Sequence, residues 1–348
     1  MINTDIGPMV IGGQGYSQSE TFPGNRQSSM YYLASQNGDD NWTLFNQSLK
    51  IPRNRHMVIP IDDSYAEKIH KTYQPQDIDI STSPVSKFLV IGGYPRNMSK
   101  NVEFIDLKRP DARCEIPDLP RGLVRPTGAF APKYGPVICT GWDPIPNAYL
   151  NFCYVLSQEG KFEELDEELC ESVNERWDAV SVVTTHGNLW ILGGGGYANE
   201  LFPGNFPVPG TSVQTLNSWN EGLASTQLIQ LGGGLGVHTT PERLPKGLLS
   251  ACLAKINDTT AIFTGGTQKR SASPVTEDST YYLNLVNLTI SSGPKMNQSR
   301  YDHGCGTFQS SDKTVTIVAG GHIDERTLLS STEYLMDNEW HEGEFLRL

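Results

Sequence analysis

Apolar residues along this chain come in short, strand-sized runs, and six of the runs end in small residues. They are Val10-Ile11-Gly12-Gly13, Val90-Ile91-Gly92-Gly93, Val137-Ile138-Cys139-Thr140-Gly141, Ile191-Leu192-Gly193-Gly194, Ile262-Phe263-Thr264-Gly265-Gly266 and Val318-Ala319-Gly320-Gly321. Measured from the first glycine or its stand-in Thr140, the runs recur after 80, 48, 53, 72 and 55 residues. Between them lie polar stretches rich in turn formers, with 34 Gly and 22 Pro in the chain, which predicts many turns and few helices. Helical pieces are expected only around 65–71 and 163–172.

Other columns repeat with the glycines. Arg300-Tyr301-Asp302-His303 has counterparts at Arg53-Asn54-Arg55-His56 and Arg176-Trp177-Asp178-Ala179, each opening a first strand ahead of its glycine pair. A third strand at 331–336 aligns with 225–230 and 279–284, and more loosely with 29–33, 101–107 and 148–156. A unit of four short strands needs about 40 to 50 residues, so the two long intervals hold insertions. The prediction is an all-β chain forming one six-bladed β-propeller over 1–348, with blades near 8–49, 51–117, 120–166, 176–244, 248–293 and 299–348. The glycines are expected where neighbouring backbones crowd near the axis. On this reading, substituting Gly320 or Tyr334 unfolds the last blade. The first blade shows no recognisable inner strand, so it is expected to be incomplete at its amino end. Residues upstream of Met1 would supply the strand, and could also carry a secretion signal.

The glycine pair followed by Tyr334 and, six residues later, Trp340 resembles the kelch repeat; Tyr282 keeps the spacing with Leu288 in place of the tryptophan. The resemblance covers nearly the whole chain and is nearest to the secreted animal kelch-type propellers of the galactose oxidase-like superfamily. It implies a protein or glycan interaction module with no chemistry, metal or cofactor of its own, acting as a monomer. Two alternatives attach to the same resemblance. A copper-dependent carbohydrate oxidase of the galactose oxidase type needs a Cys cross-linked to Tyr, a second Tyr and two His ligands; His303, His322 and His341 share one unit, but no matching Cys and Tyr can be assigned to them. An intracellular kelch substrate adaptor normally carries a BTB or F-box segment, which these residues do not contain.

The 348 residues carry 27 Lys and Arg against 39 Asp and Glu, for a net charge of -12. With no basic stripe, the counterion release that drives nucleic-acid binding has no source. No run approaches the roughly 18 apolar residues of a membrane span, so no membrane insertion is expected. The 6 cysteines show no CxxC pair and no His at zinc-ligand spacing. Blade positions bring Cys252 near Cys305 and Cys139 near Cys153, leaving Cys114 with Cys170; buried free thiols are the alternative. Sequons occur at Asn41, Asn46, Asn97, Asn257, Asn287 and Asn297, candidates for glycosylation in a secreted protein. The start of the sequence has no signal-peptide pattern, so an extracellular location is set against a cytoplasmic one.

The loops between second and third strands emerge together on one face and are long. Loop residues on a rigid scaffold commonly form binding sites, which makes Tyr94, Arg96, Trp142, Tyr197, Phe202, Phe206, Trp219, Lys269 and Arg270 candidates. The alternative is that the rings fold back over the fourth blade and the charges are solvated. The glycine runs at 192–196 and 231–236 open no helix in a βαβ unit and lack Gly-Lys-Ser/Thr, which argues against nucleotide binding. The acidic stretch 163–168 lacks spaced calcium ligands and reads as a solvated turn.

Overall fold

The computed structural model describes residues 2–4, 7–14, 26–36, 39–62, 64–66, 68, 87–108, 116–165, 173, 175–196, 222–231, 236–270, 274–310 and 313–343. They form six antiparallel sheets arranged as a six-bladed propeller. The first blade holds β1–β4 (Ile2–Thr4, Gly7–Gln14, Arg26–Gln36, Asp39–Leu44), and the second holds β5–β7 (Met57–Pro60, Lys87–Ile91, Val102–Asp106). The third contains β8–β11 (Thr127–Ala131, Gly135–Asp143, Ala148–Leu156, Phe162–Glu164), and the fourth β12–β15 (Val180–Val183, Leu189–Leu192, Thr226–Gln230, Gly236–Thr239). Strands β16–β19 (Cys252–Asn257, Thr260–Thr264, Thr280–Asn284, Ile290–Ser292) make the fifth blade and β20–β23 (Gly304–Ser310, Lys313–Ala319, Thr332–Met336, Glu339–Gly343) the sixth. Innermost strands follow one another around the axis as β1, β5, β8, β12, β16 and β20, and β1 returns against β20.

Two expectations change. The inner strand of the first blade is present as β1, which pairs with β2 from Ile2↔Met9 to Thr4↔Gly7. It is three residues long and includes the polar Asn3 and Thr4, so it has no apolar run by which to be recognised. Around 163–172, the described part is strand, not helix: β11 pairs with 154–156 of β10. Its carboxylates belong to an edge strand that leaves Glu163 and Glu164 exposed. The fourth strand expected near Cys114 in the second blade lies largely outside the described residues.

Strand-ending glycines latch five of the blades to the next. The N–H of the second glycine donates to a carbonyl of the following blade: Gly13 to Arg53 (2.9 Å), Gly93 to Leu123 (2.8 Å), Gly141 to Arg176 (2.9 Å), Gly194 to Leu248 (2.8 Å) and Gly266 to Arg300 (2.9 Å). The accepting residue alternates in character. Arg53, Arg176 and Arg300 are almost wholly buried, while Leu123 and Leu248 are buried leucines. Each arginine turns back into its own blade, donating to the first glycine's carbonyl: Gly92 at 3.0 Å, Gly193 at 2.8 Å and Gly320 at 2.9 Å. Arg53 and Arg300 also pair with the buried Glu103 and Glu333.

The third-strand residue facing the same place in the ladder changes with the arginine. Glu103, Gln227 and Glu333 stand opposite Val90, Ile191 and Val318. Tyr154 and Tyr281 stand opposite Ile138 and Phe263. Polar blades therefore alternate with apolar ones, and the two positions change together. Burying a guanidinium requires acceptors for its donors, and the alternation supplies them only where the arginine occurs.

Apolar side chains fill five of the wedges between blades, from Met9 and Phe88 at the first to Ile262 and Trp340 at the fifth. Trp340 fills the fifth wedge, and its Nε1 donates to the Pro294 carbonyl at 3.1 Å. Tyr334 does not: it is half-buried and stacks on His341, while its neighbour Leu335 enters the wedge. Alternation along β22 sends successive side chains to opposite faces.

Two disulfides add covalent ties. Cys139–Cys153 joins directly opposed residues of β9 and β10, and Cys252–Cys305 joins inner strands of the fifth and sixth blades. The second bond encloses 53 residues, a loop whose closure stabilises by about 2–4 kcal/mol. Cys114 and Cys170 lie outside the described residues. Among the described residues, no helix is long and apolar enough to cross a membrane.

Candidate functional site

The third position of the Arg-x-x-His column lies at the axial mouth, on the face of the loops between second and third strands. Its occupants are Arg55, Arg125, Asp178, Ser250 and Asp302, all left-handed at φ 57, 56, 59, 56 and 54. Backbone bonds string them around the axis: Arg125 N–H to Arg55 (2.9 Å), Asp178 to Arg125 (3.2 Å), Ser250 to Asp178 (3.1 Å) and Asp302 to Ser250 (2.9 Å). Left-handed backbone costs a non-glycine residue about 1–2 kcal/mol, and this hydrogen-bonded string compensates it. The turn directs five side chains to one place.

Those side chains form a charged cluster. Arg125 holds Asp302 in a two-point grip, Nη1 to Oδ1 and Nη2 to Oδ2, each at 3.2 Å. It also pairs with Asp178. Arg270, from the loop after β17, pairs with Asp302, lies 3.7 Å from Asp178 and donates from Nε to Ser250 Oγ at 3.2 Å. Burial pushes the Asp302 carboxyl up, but the charges of Arg125 and then Arg270 outweigh it and hold the carboxyl well below its ordinary range. Arg125 is held well below the usual guanidinium range, first by burial and then by the charge of Arg270.

Aromatic rings wall the cluster. Residues just after the glycine pairs bridge to the second position of the Arg-x-x-His column, as in Asn54↔Tyr94, Val124↔Trp142 and Tyr301↔His322. Arg125 and Arg270 lie 5.3 and 5.7 Å over Trp177, and Arg270 lies 5.5 Å over Tyr301. Arg26 and Arg55 lie 5.8 and 5.4 Å over Tyr94, while Arg96 lies 5.4 Å over Trp142. Such cation–π contacts are favourable by about 0.5–2 kcal/mol each.

Of the residues predicted from sequence, Tyr94, Arg96, Trp142 and Arg270 meet at this mouth. Lys269 is exposed beside it, its carbonyl accepting from Thr267 Oγ1 at 2.9 Å. Tyr197, Phe202, Phe206 and Trp219 lie outside the described residues. Sequence reading misses Arg26, Arg55, Arg125, Asp178, Trp177 and Asp302. For Arg55, Arg125, Asp178 and Asp302 the signal is present in the Arg-x-x-His column: its third position carries opposite charges in different blades, which a purely structural strand opener does not require.

The opposite end of the axis opens into a cavity of about 1180 Å³, lined by small inner-strand residues such as Gly128, Ser181, Ala254 and Thr307. Among the described residues, no three His, Cys, Asp or Glu side chains converge as a metal-binding group.

The column's histidines serve the wedges. His303 Nε2 lies 2.9 Å from Thr264 Oγ1, and His56 packs against Gly12 and Gly93. Burial, followed by the charges of Arg53 and Arg300 respectively, lowers the pKa of His56 and His303 to about 3 each. Both are neutral in the folded protein and take up protons on unfolding below about pH 6.5. Stability is therefore fully present above that pH and falls as pH is lowered towards 3. Denaturant midpoints are expected to drop between pH 7 and pH 4.5, before most carboxylates titrate, and His303→Gln is expected to flatten the drop.

Comparison with protein-family models gives no match, and comparison with curated proteins gives none either.

Proposed function

We propose that this chain is a kelch-type, non-catalytic interaction module whose protein or glycan ligand docks on the face bearing the axial mouth. The observation that carries the reading is the convergence there of guanidinium groups and aromatic rings from several blades. Arg and aromatic residues on a rigid frame are favoured anchors of binding surfaces. The blade-to-blade glycine latch and the Trp340 wedge support the kelch assignment. A non-catalytic role is supported by the engagement of the mouth's own polar groups: Asp178 and Asp302 are ion-paired, and the Ser250 hydroxyl donates to Asp178.

The module is read as secreted, monomeric and glycosylated. Two disulfides fit an oxidising compartment, and Asn46, Asn97, Asn257, Asn287 and Asn297 are exposed; the Asn41 side chain is not described. The test compares the two faces. A ligand selected from displayed-peptide and glycan arrays by the wild-type chain is expected to be lost in Trp142→Ala and Arg270→Ala. It is expected to be retained in Lys133→Ala and His186→Ala at the opposite end. Loss confined to the second pair, or retention by all four folded variants, would sink the proposal.

A further inference from the structure

We infer that the Tyr94–Trp142 side of the mouth is a carboxylate-binding site for an acidic peptide segment. This rests on the interaction-module reading and specifies the ligand. The two rings adjoin, with centroids 5.9 Å apart. Arg26 of the first blade and Arg55 of the second lie over Tyr94, and Arg96 lies over Trp142 of the third. Three guanidinium groups thus share one aromatic platform. Among the described residues none of the three has a carboxylate within ion-pair distance, although the chain as a whole carries a net charge of -12.

The other side of the same mouth shows what this arrangement accepts. Arg125 lies over Trp177 as Arg55 lies over Tyr94, and it grips a carboxylate, Asp302, at two points. A planar guanidinium matches a carboxylate in this bidentate way, and an aromatic ring behind it fixes its plane. The Tyr94–Trp142 side repeats the arginine-over-ring geometry, and the acid whose charge reaches Arg55, Asp302, is already gripped by Arg125. A partner carboxylate would complete it and offset the charge of Arg270 that bears on Arg55.

The same geometry selects among acidic ligands. A pyranose normally recognises a site by stacking on an aromatic face, but here guanidinium groups already lie over both rings. A long, uniformly charged polyanion would meet the protein's overall negative charge beyond the mouth. A peptide loop bearing one or two Asp or Glu side chains confines its charge to the arginines and avoids both conflicts.

The probe is the blocked peptide acetyl-Gly-Glu-Gly-Glu-Gly-amide, titrated into the full chain by NMR beside its Gln counterpart and 3′-sialyllactose. The Glu peptide is expected to bind saturably, at least about tenfold more tightly than the Gln peptide, and to weaken with added NaCl, as charge-assisted recognition requires. Arg55→Gln and Arg96→Gln are each expected to weaken it about tenfold, while Arg55→Lys retains part of the affinity. Arg55 and Arg96 are exposed, and unchanged thermal unfolding of the variants would separate lost binding from lost fold. Equal binding of the Glu and Gln peptides, no binding of either, or full affinity in both Gln variants would overturn the inference. Tighter, Arg55-dependent binding of 3′-sialyllactose would overturn the peptide assignment while leaving the face reading intact. The face reading itself fails only by the Trp142→Ala comparison above.

Discussion

Arg300→Leu is expected to destabilise the protein by about 3–5 kcal/mol, the cost of breaking a buried ion pair from one side. The arginine is fully buried and donates to the carbonyls of Gly320 (2.9 Å) and Ser331 (3.1 Å) and to the Glu333 carboxylate (2.6 Å). Its loss leaves Glu333 buried with only the backbone N–H groups of Asn297 and Gln298 as hydrogen-bond donors in the described structure. The neighbouring blade provides the rescue, because Leu248 and Tyr281 occupy the same two positions there. The double variant Arg300→Leu/Glu333→Tyr is expected to recover at least half of the loss, since exchanging both partners for apolar residues removes the uncompensated charge. Equilibrium denaturation of wild type, both single variants and the double variant measures the coupling directly. Strict additivity would show that the two positions do not act as a pair.

Gly92→Ala is expected to prevent the second and third blades from docking, at a cost above about 4 kcal/mol, in the range reserved for severe core damage. A Cβ there would lie 2.3 Å from the Leu123 carbonyl oxygen of the next blade, at φ +65. The obstacle is backbone and cannot rotate away. Gly320→Ala, expected from sequence to be equally damaging, should cost only about 1–2 kcal/mol of left-handed strain. Its nearest new contact would be Leu329 O at 3.6 Å. Thermal unfolding of the two variants should therefore separate them widely, and similar midpoints would contradict the close-approach argument.

This difference illustrates what the repeat reveals and what it conceals. The period, the strand-ending glycines and Trp340 mark the fold because every blade needs the same backbone turn and most need a filled wedge. A glycine's role at a particular blade depends on what the next blade places against it, and no column of the repeat records that. β1 escaped notice for a related reason: an inner strand shorter than one apolar alternation is defined by its partner β2. At the mouth, Tyr94, Arg96, Trp142 and Arg270 are legible as exposed loop residues of binding type. Arg55, Arg125, Asp178 and Asp302 are harder to see, because the left-handed turn that gathers them is a backbone property shared by residues of opposite charge. Their convergence belongs to the closed ring.

The alternation of Arg53, Leu123, Arg176, Leu248 and Arg300 has a further consequence for modularity. The pair travels with its blade, because Arg53 and Glu103 both belong to the second blade and Arg300 and Glu333 to the sixth. Each blade of this kind brings its own acceptors for the buried guanidinium. The natural cassette for duplication, grafting or shuffling in this propeller is therefore a single blade.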